Sequence, residues 1–197
     1  PVDENKFFID YKKKYFLRNK LTKFNQDDVV LNLVANFIDR KNQLFVLDVL
    51  SLLPNNFKLI LAGPLKTENN AYFQNLLDKI NNLNLNARVD IQTGFIHNFD
   101  EYLKCSDVFL FPSKSEGLGT PLLESQACGI PVVSNYLKDI TDPIIKANKG
   151  GYFLKLDANT WAEGIQKVLE IPQEVLINNA KYINDICSTK IIDTEYY

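Results

Sequence analysis

The chain has 197 residues, of which 46% are apolar, and this suffices for one hydrophobic core of ordinary size but not for two domains. Its 22 basic and 24 acidic residues give a net charge of −2, which provides no general positive field for nucleic acid. Three widely spaced cysteines, Cys105, Cys128 and Cys187, predict buried thiols in a reducing compartment and argue against a disulfide framework or a zinc site.

The first 24 residues are predicted to form a linker and a first helix. Seven basic residues fall within the first 23, and a solvated helix face is the simplest interpretation. A contact with anionic lipid stays open if the whole protein works at a membrane. These residues are Lys6, Lys12, Lys13, Lys14, Arg18, Lys20 and Lys23.

Residues 25–170 are predicted to form a single α/β core, because apolar runs of strand length alternate with segments of helical periodicity. The predicted strands are 29–36, 57–63, 88–93, 108–111, 131–134 and 151–155. The predicted helices are 43–53, 69–83, 100–105 and 159–169, with a further loop and helix over 117–128. A last helix over 173–186 and a tail complete the region 171–197.

This alternation predicts a doubly wound, Rossmann-like parallel sheet with right-handed crossovers. In such sheets ligands bind beyond the carboxyl ends of the strands, where the loops after Asn36, Gly63, Thr93 and Pro112 are expected to converge.

The most informative of these loops has the sequence Pro-Ser-Lys-Ser-Glu-Gly-Leu-Gly-Thr-Pro-Leu-Leu-Glu over 112–124. Gly117 and Gly119 lack Cβ atoms, so backbone amides can approach a ligand closely. Thr120 and Pro121 predict a helix N-cap followed by proline at the first helical position, and a helix N-terminus favours a phosphate. An ordinary strand-to-helix turn fits the spacing equally well.

Two carboxylates accompany this loop. Glu116 lies on it, and Glu124 is expected roughly 6 Å into the helix, at a distance of about one turn. Two hydrogen-bond acceptors beside an anion site suit the hydroxyl groups of a sugar nucleotide.

Glu116 and Glu124, separated by seven residues and followed by Ser-Gln-Ala-Cys-Gly-Ile-Pro-Val-Val over 125–133, resemble the glutamate-pair signature of retaining glycosyltransferases of family 4, also called group 1. That family has the GT-B fold, in which the second of two Rossmann-like domains binds most of the nucleotide-sugar donor. One departure is Gln126, where the family usually carries a methionine that faces the helix interior.

The resemblance implies that this chain is the C-terminal half of a GT-B fold and that the acceptor-binding N-terminal domain is absent. Residues 1–7 resemble the linker that leaves the first domain, and the chain begins at Pro1 and contains no methionine. We therefore expect a C-terminal portion of a longer protein.

Residues 35–42 resemble the family's diphosphate loop, in which an arginine and a lysine stand five residues apart. Lys41 matches the lysine, a point charge suited to a phosphate. Asn36 stands in place of the arginine and carries no charge, so weaker diphosphate binding is expected unless Arg40 compensates.

After the third strand, Ile96 matches a position whose backbone contacts the nucleobase in the family. The neighbouring Phe95 is expected in the core rather than stacked on the base. His97, the only histidine, is expected at the surface or in a capping role rather than in catalysis.

The reaction implied by the resemblance is retaining transfer of a glycosyl group from a UDP- or GDP-type sugar donor, without a metal ion or other cofactor. Glu116 would orient the donor sugar, Glu124 would accept from the ribose, and Lys41 would stabilise the departing diphosphate. The glycine loop would line the donor through Gly117, Leu118, Gly119 and Thr120.

The partners implied are a nucleotide sugar and a glycan or lipid-linked acceptor, the latter bound by the missing domain. Surface polysaccharide synthesis in the cytoplasm, near the inner face of the membrane, is the setting expected.

Three alternatives remain. The first is another GT-B enzyme, such as a nucleotide-sugar epimerase or a glycan phosphorylase, although no lysine site for the pyridoxal phosphate of a phosphorylase is evident. A nonenzymatic nucleotide-sugar-binding module is suggested by Asn36 alone. An unrelated Rossmann domain is disfavoured, because no Gly-X-Gly-X-X-Gly follows the first strand.

Overall fold

The computed structural model describes residues 2–65, 71–145 and 149–187. Their strands are β1 (Val29–Val34), β2 (Phe57–Gly63), β3 (Val89–Thr93), β4 (Val108–Phe111), β5 (Val132–Asn135) and β6 (Gly151–Leu154). They form a parallel six-stranded sheet in the order β3-β2-β1-β4-β5-β6. This confirms the predicted Rossmann-like, doubly wound sheet, whose strand order reverses between β1 and β4.

Helices cover both faces of the sheet. Their bounds are α1 (Lys14–Leu21), α2 (Gln43–Leu52), α3 (Ala71–Asn82), α4 (Phe99–Lys104), α5 (Thr120–Ala127), α6 (Thr141–Ile144), α7 (Ala158–Val168) and α8 (Gln173–Cys187). A 3₁₀ turn at Tyr11–Lys13 leads into α1. Helices α2, α3 and α7 supply one apolar layer, whereas α1, α4, α5 and α8 pack on the opposite face.

The core follows the two-residue period of buried strands. Leu31 and Leu59 pack toward α2 and α7, where the fully buried Trp161 meets Phe45 edge to face with ring centroids 5.2 Å apart. The neighbouring residues of the same strands, Val30 and Ile60, pack beneath α1 and α4. Side chains that point alternately to opposite faces therefore fill two layers, as continuous apolar runs predict.

A buried arginine anchors the amino end of the sheet. The side chain of Arg18 is 1% exposed and donates to the Cys105 carbonyl (3.0 Å), to carbonyls of the turn before β1 and to the Asp107 carboxylate (2.8 Å). Asp107 also accepts from the backbone amide of Val30 (2.6 Å) and from the Lys14 ammonium. The basic residues of α1 are therefore partly structural, and not all of them are solvated as the sequence suggests.

The start of α5 differs from the prediction. The N-cap is Gly119, not Thr120, and it makes no side-chain cap hydrogen bond. Its φ of 64° is left-handed, a conformation that glycine adopts without a Cβ penalty, and its carbonyl accepts from the Leu122 amide (2.9 Å). Thr120 is the first residue of the helix, and Pro121 follows as the second.

Smaller differences concern the ends of elements. Strand β1 ends at Val34 rather than at residue 36, and the four-residue helix α6 has no counterpart in the prediction. The first two residues of the helix predicted over 69–83, and the tail over 188–197, lie outside the described residues.

Gln126 is buried at 1% exposure, as its position in the family implies. Its amide nitrogen donates to the Leu122 carbonyl (2.9 Å), and its carbonyl accepts from the Asn179 amide on α8 (3.0 Å). A polar residue is tolerated here because both ends of its amide are hydrogen-bonded.

The cysteines largely match expectation. Cys105 and Cys128 are buried free thiols, and burial raises the pKa of each to about 12, so both stay neutral and unreactive at neutral pH. Cys187 is only partly buried, and burial raises its pKa as well.

Candidate functional site

Two loops meet at the point where the strand order reverses. We call residues 35–42, after β1, loop L1, and residues 112–119, after β4, loop L4. Because β1 pairs with β4, the two loops leave neighbouring strands at the same edge of the sheet.

L1 and L4 are joined by hydrogen bonds. The Asn42 amide donates to the Pro112 carbonyl (3.3 Å), and the Lys114 backbone amide donates to the Arg40 carbonyl (2.9 Å). The Lys114 ammonium also pairs with Asp39 (2.8 Å). The two loops therefore form one connected unit.

Glu116 is the centre of charge in this unit. Its carboxylate accepts from the Lys41 ammonium and from the Arg40 guanidinium (3.1 Å), which also donates to the Ser115 carbonyl (2.8 Å). Burial by itself would raise the pKa of Glu116, but hydrogen bonds from Lys41 and Ser113 and the nearby cationic charges offset it, so the pKa is lowered. Glu116 is therefore ionised and held between two cations.

Beside this charge cluster lies a cavity of about 240 Å³. Glu124 is the ionisable residue of its lining, and burial raises the pKa of that carboxyl. The lining is otherwise mostly apolar and comprises Val34, Ala35, Asn36, Pro64, Phe95, Ile96, Phe99 and Pro121. A narrow recess lined by Lys41 and Ser113 shares Ala35 and Pro121 with this cavity, so the two spaces adjoin.

The structure thus divides the predicted residues into two groups. Lys41 and Arg40 lie against Glu116, whereas Asn36 and Ile96 line the cavity with Glu124. Asn36 lines the cavity and Lys41 lines the adjoining recess, so the two residues that the family motif assigns to the diphosphate lie in neighbouring spaces. Gly117 and Leu118 of L4 are exposed, and the side chain of Leu118 is 82% exposed.

Phe95 was expected in the core, and this prediction is wrong. Its side chain is 73% exposed at the rim of the cavity, with its ring centroid 4.6 Å from that of His97. β3 is an edge strand of the sheet and ends at Thr93, so no other strand among the described residues pairs beyond it beside the loop that follows. His97 is exposed, as expected.

Two residues of the site escaped sequence reasoning. Ser113 is 2% exposed and hydrogen-bonds to Glu116, and Gln43 is fully buried at the start of α2, where its side chain donates to the Asn36 carbonyl (2.9 Å). A glutamine at the first position of a mostly apolar helix is the sequence feature that could have indicated a buried hydrogen-bonding role for Gln43.

A second cavity, of about 350 Å³, lies at the amino end of the sheet, lined among others by Tyr11, Lys14 and Asp107. Its two charged residues pair with each other, which leaves little charge for a ligand.

Within residues 2–65, 71–145 and 149–187, no three His, Cys, Asp or Glu side chains are grouped so as to hold a metal ion. In the same residues no helix is long and apolar enough to cross a bilayer.

Comparison with solved structures defines the class of domain. HepE of Anabaena, solved in complex with UDP and glucose, superimposes with a TM-score of 0.87 at 19% identity, over 98% of this chain and 53% of HepE. The C-terminal domain of the group 1 glycosyl transferase LpcC from Francisella tularensis gives 0.74 at 16% identity, over 100% of this chain and 98% of that domain. The fold is that of a Rossmann-like domain of GT-B glycosyltransferases.

The family follows from the sequence match. Residues 14–183 match the model of glycosyl transferases group 1, and the chain belongs to that family. The capsular polysaccharide biosynthesis glycosyltransferases CapH and CapM of Staphylococcus aureus are 28% and 26% identical to it, over 88% and 97% of this chain. These alignments cover 49% of CapH and 50% of CapM, so the chain spans about half the length of these relatives.

The opposite pKa shifts of the two glutamates predict opposite effects on stability. Glu116, with a lowered pKa, stabilises the fold above the pKa of the unfolded chain, about 4.3, and loses this as pH falls. Glu116→Gln should therefore lower Tm at neutral pH. Glu124, with a raised pKa, destabilises the fold once it ionises, so Glu124→Gln should raise Tm at neutral pH.

Thermal denaturation at neutral pH and near pH 4 measures both differences from the unmodified chain. The Glu124 difference should largely vanish near pH 4, because its raised pKa leaves it protonated in the folded state. The Glu116 difference should shrink only in part there, because its lowered pKa keeps the folded state ionised until the pH falls further. Shifts of the same sign for the two variants at neutral pH would contradict the electrostatic assignment.

Proposed function

We propose that this chain is the donor-binding part of a retaining glycosyltransferase that takes a sugar from a nucleotide diphosphate. The observation that carries the proposal is the cluster of Glu116, Lys41 and Arg40 beside the Glu124 cavity, at the reversal of strand order. The two cations would bind the diphosphate, and the cavity with Glu124, reached through the adjoining recess, would bind the nucleoside.

The cavity suits the nucleoside. Its apolar walls fit a base, and the exposed Phe95 ring offers a surface for stacking near Ile96. Glu124 supplies an acceptor for ribose hydroxyl groups, as the family resemblance implies. HepE has been solved with UDP and with UDP-glucose, which supports UDP as the first nucleotide to test.

The cation pair suits the diphosphate. Lys41 and Arg40 pair with Glu116, and a diphosphate would compete for the same hydrogen bonds. Once the cations bind phosphate oxygens, the Glu116 carboxylate becomes available for hydroxyl groups of the donor sugar. Donor binding is thus an exchange of partners within a prearranged site, and Arg40 supplies a charge that Asn36 lacks.

The site residues then act at the two ends of the breaking bond. Negative charge that develops on the departing diphosphate is stabilised by Lys41, by Arg40 and by backbone amides at Gly119 and Thr120. Glu116 holds the sugar in its reactive orientation and stabilises positive character on the ring. We propose that transfer retains the anomeric configuration and needs neither a metal ion nor another cofactor.

Capsular polysaccharide relatives favour synthesis of a surface polysaccharide. A glycan or lipid-linked acceptor would bind through a part of the protein outside this chain, in the cytoplasm at the inner membrane face.

The longer protein should transfer sugar from a nucleotide sugar, while the 197-residue chain should bind nucleotide without transfer. Binding by the longer protein with neither transfer nor epimerisation would favour the nonenzymatic module instead.

The two glutamates should affect nucleotide binding differently. Glu124→Ala should weaken UDP binding, because an acceptor for the ribose is lost. Glu116→Ala should bind UDP at least as tightly as the unmodified chain, because Lys41 and Arg40 no longer have a competing carboxylate. Isothermal titration calorimetry of the chain with UDP measures both, and equal losses would refute the separate roles.

Lys41→Ala should reduce UDP affinity by about 1.5–3 kcal/mol, the usual scale for a charged hydrogen bond. The matched control is Lys114→Ala, which removes a lysine of L4 that pairs with Asp39 instead. Asn36→Arg should tighten binding by adding a charge. The affinity of the unmodified chain should fall as salt rises. If Lys41→Ala and Lys114→Ala bind alike at low and moderate salt, the diphosphate site is misplaced.

A peripheral membrane contact is proposed through the exposed face of α1 and its preceding turn. Phe16 is 67% exposed and Tyr15 46%, with the exposed Lys12 and Lys13 nearby. Sedimentation with vesicles should show more binding to phosphatidylglycerol than to phosphatidylcholine, reduced by Phe16→Ser. Leu52→Ser, a control at another exposed apolar residue, should have no effect. Equal sedimentation of the Phe16→Ser variant would exclude this surface.

A further inference from the structure

The start of α2 lacks the usual cap. Its N-cap residue Asn42 has a left-handed backbone (φ 58°, ψ 36°) and makes no side-chain hydrogen bond to the helix; its side-chain nitrogen donates to the Pro112 carbonyl. The first amides of a helix have no intrahelical acceptor and need a partner from elsewhere. Since α2 begins at Gln43, two residues after Lys41, the way the helix begins affects the position of that lysine.

A tyrosine from another helix supplies the missing partner. The hydroxyl of Tyr72, on α3, accepts from the Leu44 backbone amide (3.3 Å) in the first turn of α2. The same hydroxyl donates to the side-chain carbonyl of Gln43 (2.9 Å). Tyr72 is half-buried, and burial raises its pKa, so the hydroxyl keeps its proton at neutral pH.

Gln43 extends this connection to the beginning of L1. Its side chain is fully buried, and its amide nitrogen donates to the Asn36 carbonyl (2.9 Å). The Asn36 carbonyl also accepts from the Ile38 amide (2.9 Å), which closes a tight turn. One phenol hydroxyl is thereby linked to both ends of the segment 36–44, and Arg40 and Lys41 lie between those ends.

We infer that Tyr72 is a positioning residue for the nucleotide site, acting through Gln43 and the start of α2 to hold Lys41 and Arg40 in place. Tyr72 does not line the cavity or the recess of the site. Its contribution is to limit the conformations of L1, so that the cations are already in position when an anion arrives. The functional part of this inference rests on the proposed donor site.

Tyr72→Phe tests the inference because it removes only the hydroxyl. UDP affinity, measured by calorimetry on the whole 197-residue chain, should fall about five- to tenfold, the loss expected for one or two net hydrogen bonds. The matched control is Tyr11→Phe, which removes a hydroxyl that donates to the Gly129 carbonyl (3.2 Å) near the amino end of the sheet. That control should leave UDP affinity unchanged.

A double-mutant cycle separates positioning from general destabilisation. If Tyr72 acts by holding Lys41, the loss caused by Tyr72→Phe should shrink by at least half in a Lys41→Ala background. A full, additive loss in that background would overturn the inference, as would unchanged affinity in Tyr72→Phe alone.

Hydrogen exchange without nucleotide keeps the test independent of the proposed function. Tyr72→Phe should speed exchange of backbone amides in 36–44, and of Leu44 in particular, while Tyr11→Phe should not. Unchanged exchange in Tyr72→Phe would overturn the positioning role itself. If the unmodified chain binds no UDP while exchange responds as expected, the proposed donor site fails and the structural role of Tyr72 stands.

Discussion

The Asp107 carboxylate, immediately before β4, is an acceptor shared by three donors from different parts of the chain. Arg18 and Lys14 reach it from α1, and the Val30 backbone amide reaches it from β1. The carboxylate therefore ties β4 to β1, whose pairing aligns Leu31 with Val108. The pairing holds the two halves of the sheet together and also brings L1 and L4 side by side at the opposite edge.

Electrostatics at that edge follow from the same pairing. Glu116 would be an unfavourable half-buried anion without Lys41 and Arg40, and those two cations come from the loop after the neighbouring strand. Glu124 lies in α5, directly after L4, and has no cationic side-chain partner among the described residues. Burial raises its pKa. The surroundings therefore stabilise the ionised form of Glu116 and disfavour the ionised form of Glu124. Perturbed pKa values of this kind are typical of functional sites.

One departure from the family pattern, Gln126, is accommodated by hydrogen bonds within the fold. Gln126 replaces an apolar side chain, and Asn179 on α8 satisfies its amide. Asn179 lies on another helix, 53 residues along the chain, so this hydrogen bond is visible only in three dimensions. Asn36 lines the cavity, and Arg40, on the same loop L1, pairs with Glu116 of L4.

The sequence alone determined the α/β class, most strand and helix positions and the two glutamates, because these depend on local periodicity, glycine and proline chemistry and a short motif. Tertiary structure decided what depends on distant contacts. Phe95 is exposed because β3 is an edge strand, and Gly119 caps α5 because the loop must turn through a left-handed conformation. The grouping of Glu116 with Lys41 needed the pairing of β1 with β4, strands separated by more than 70 residues, which no local pattern encodes.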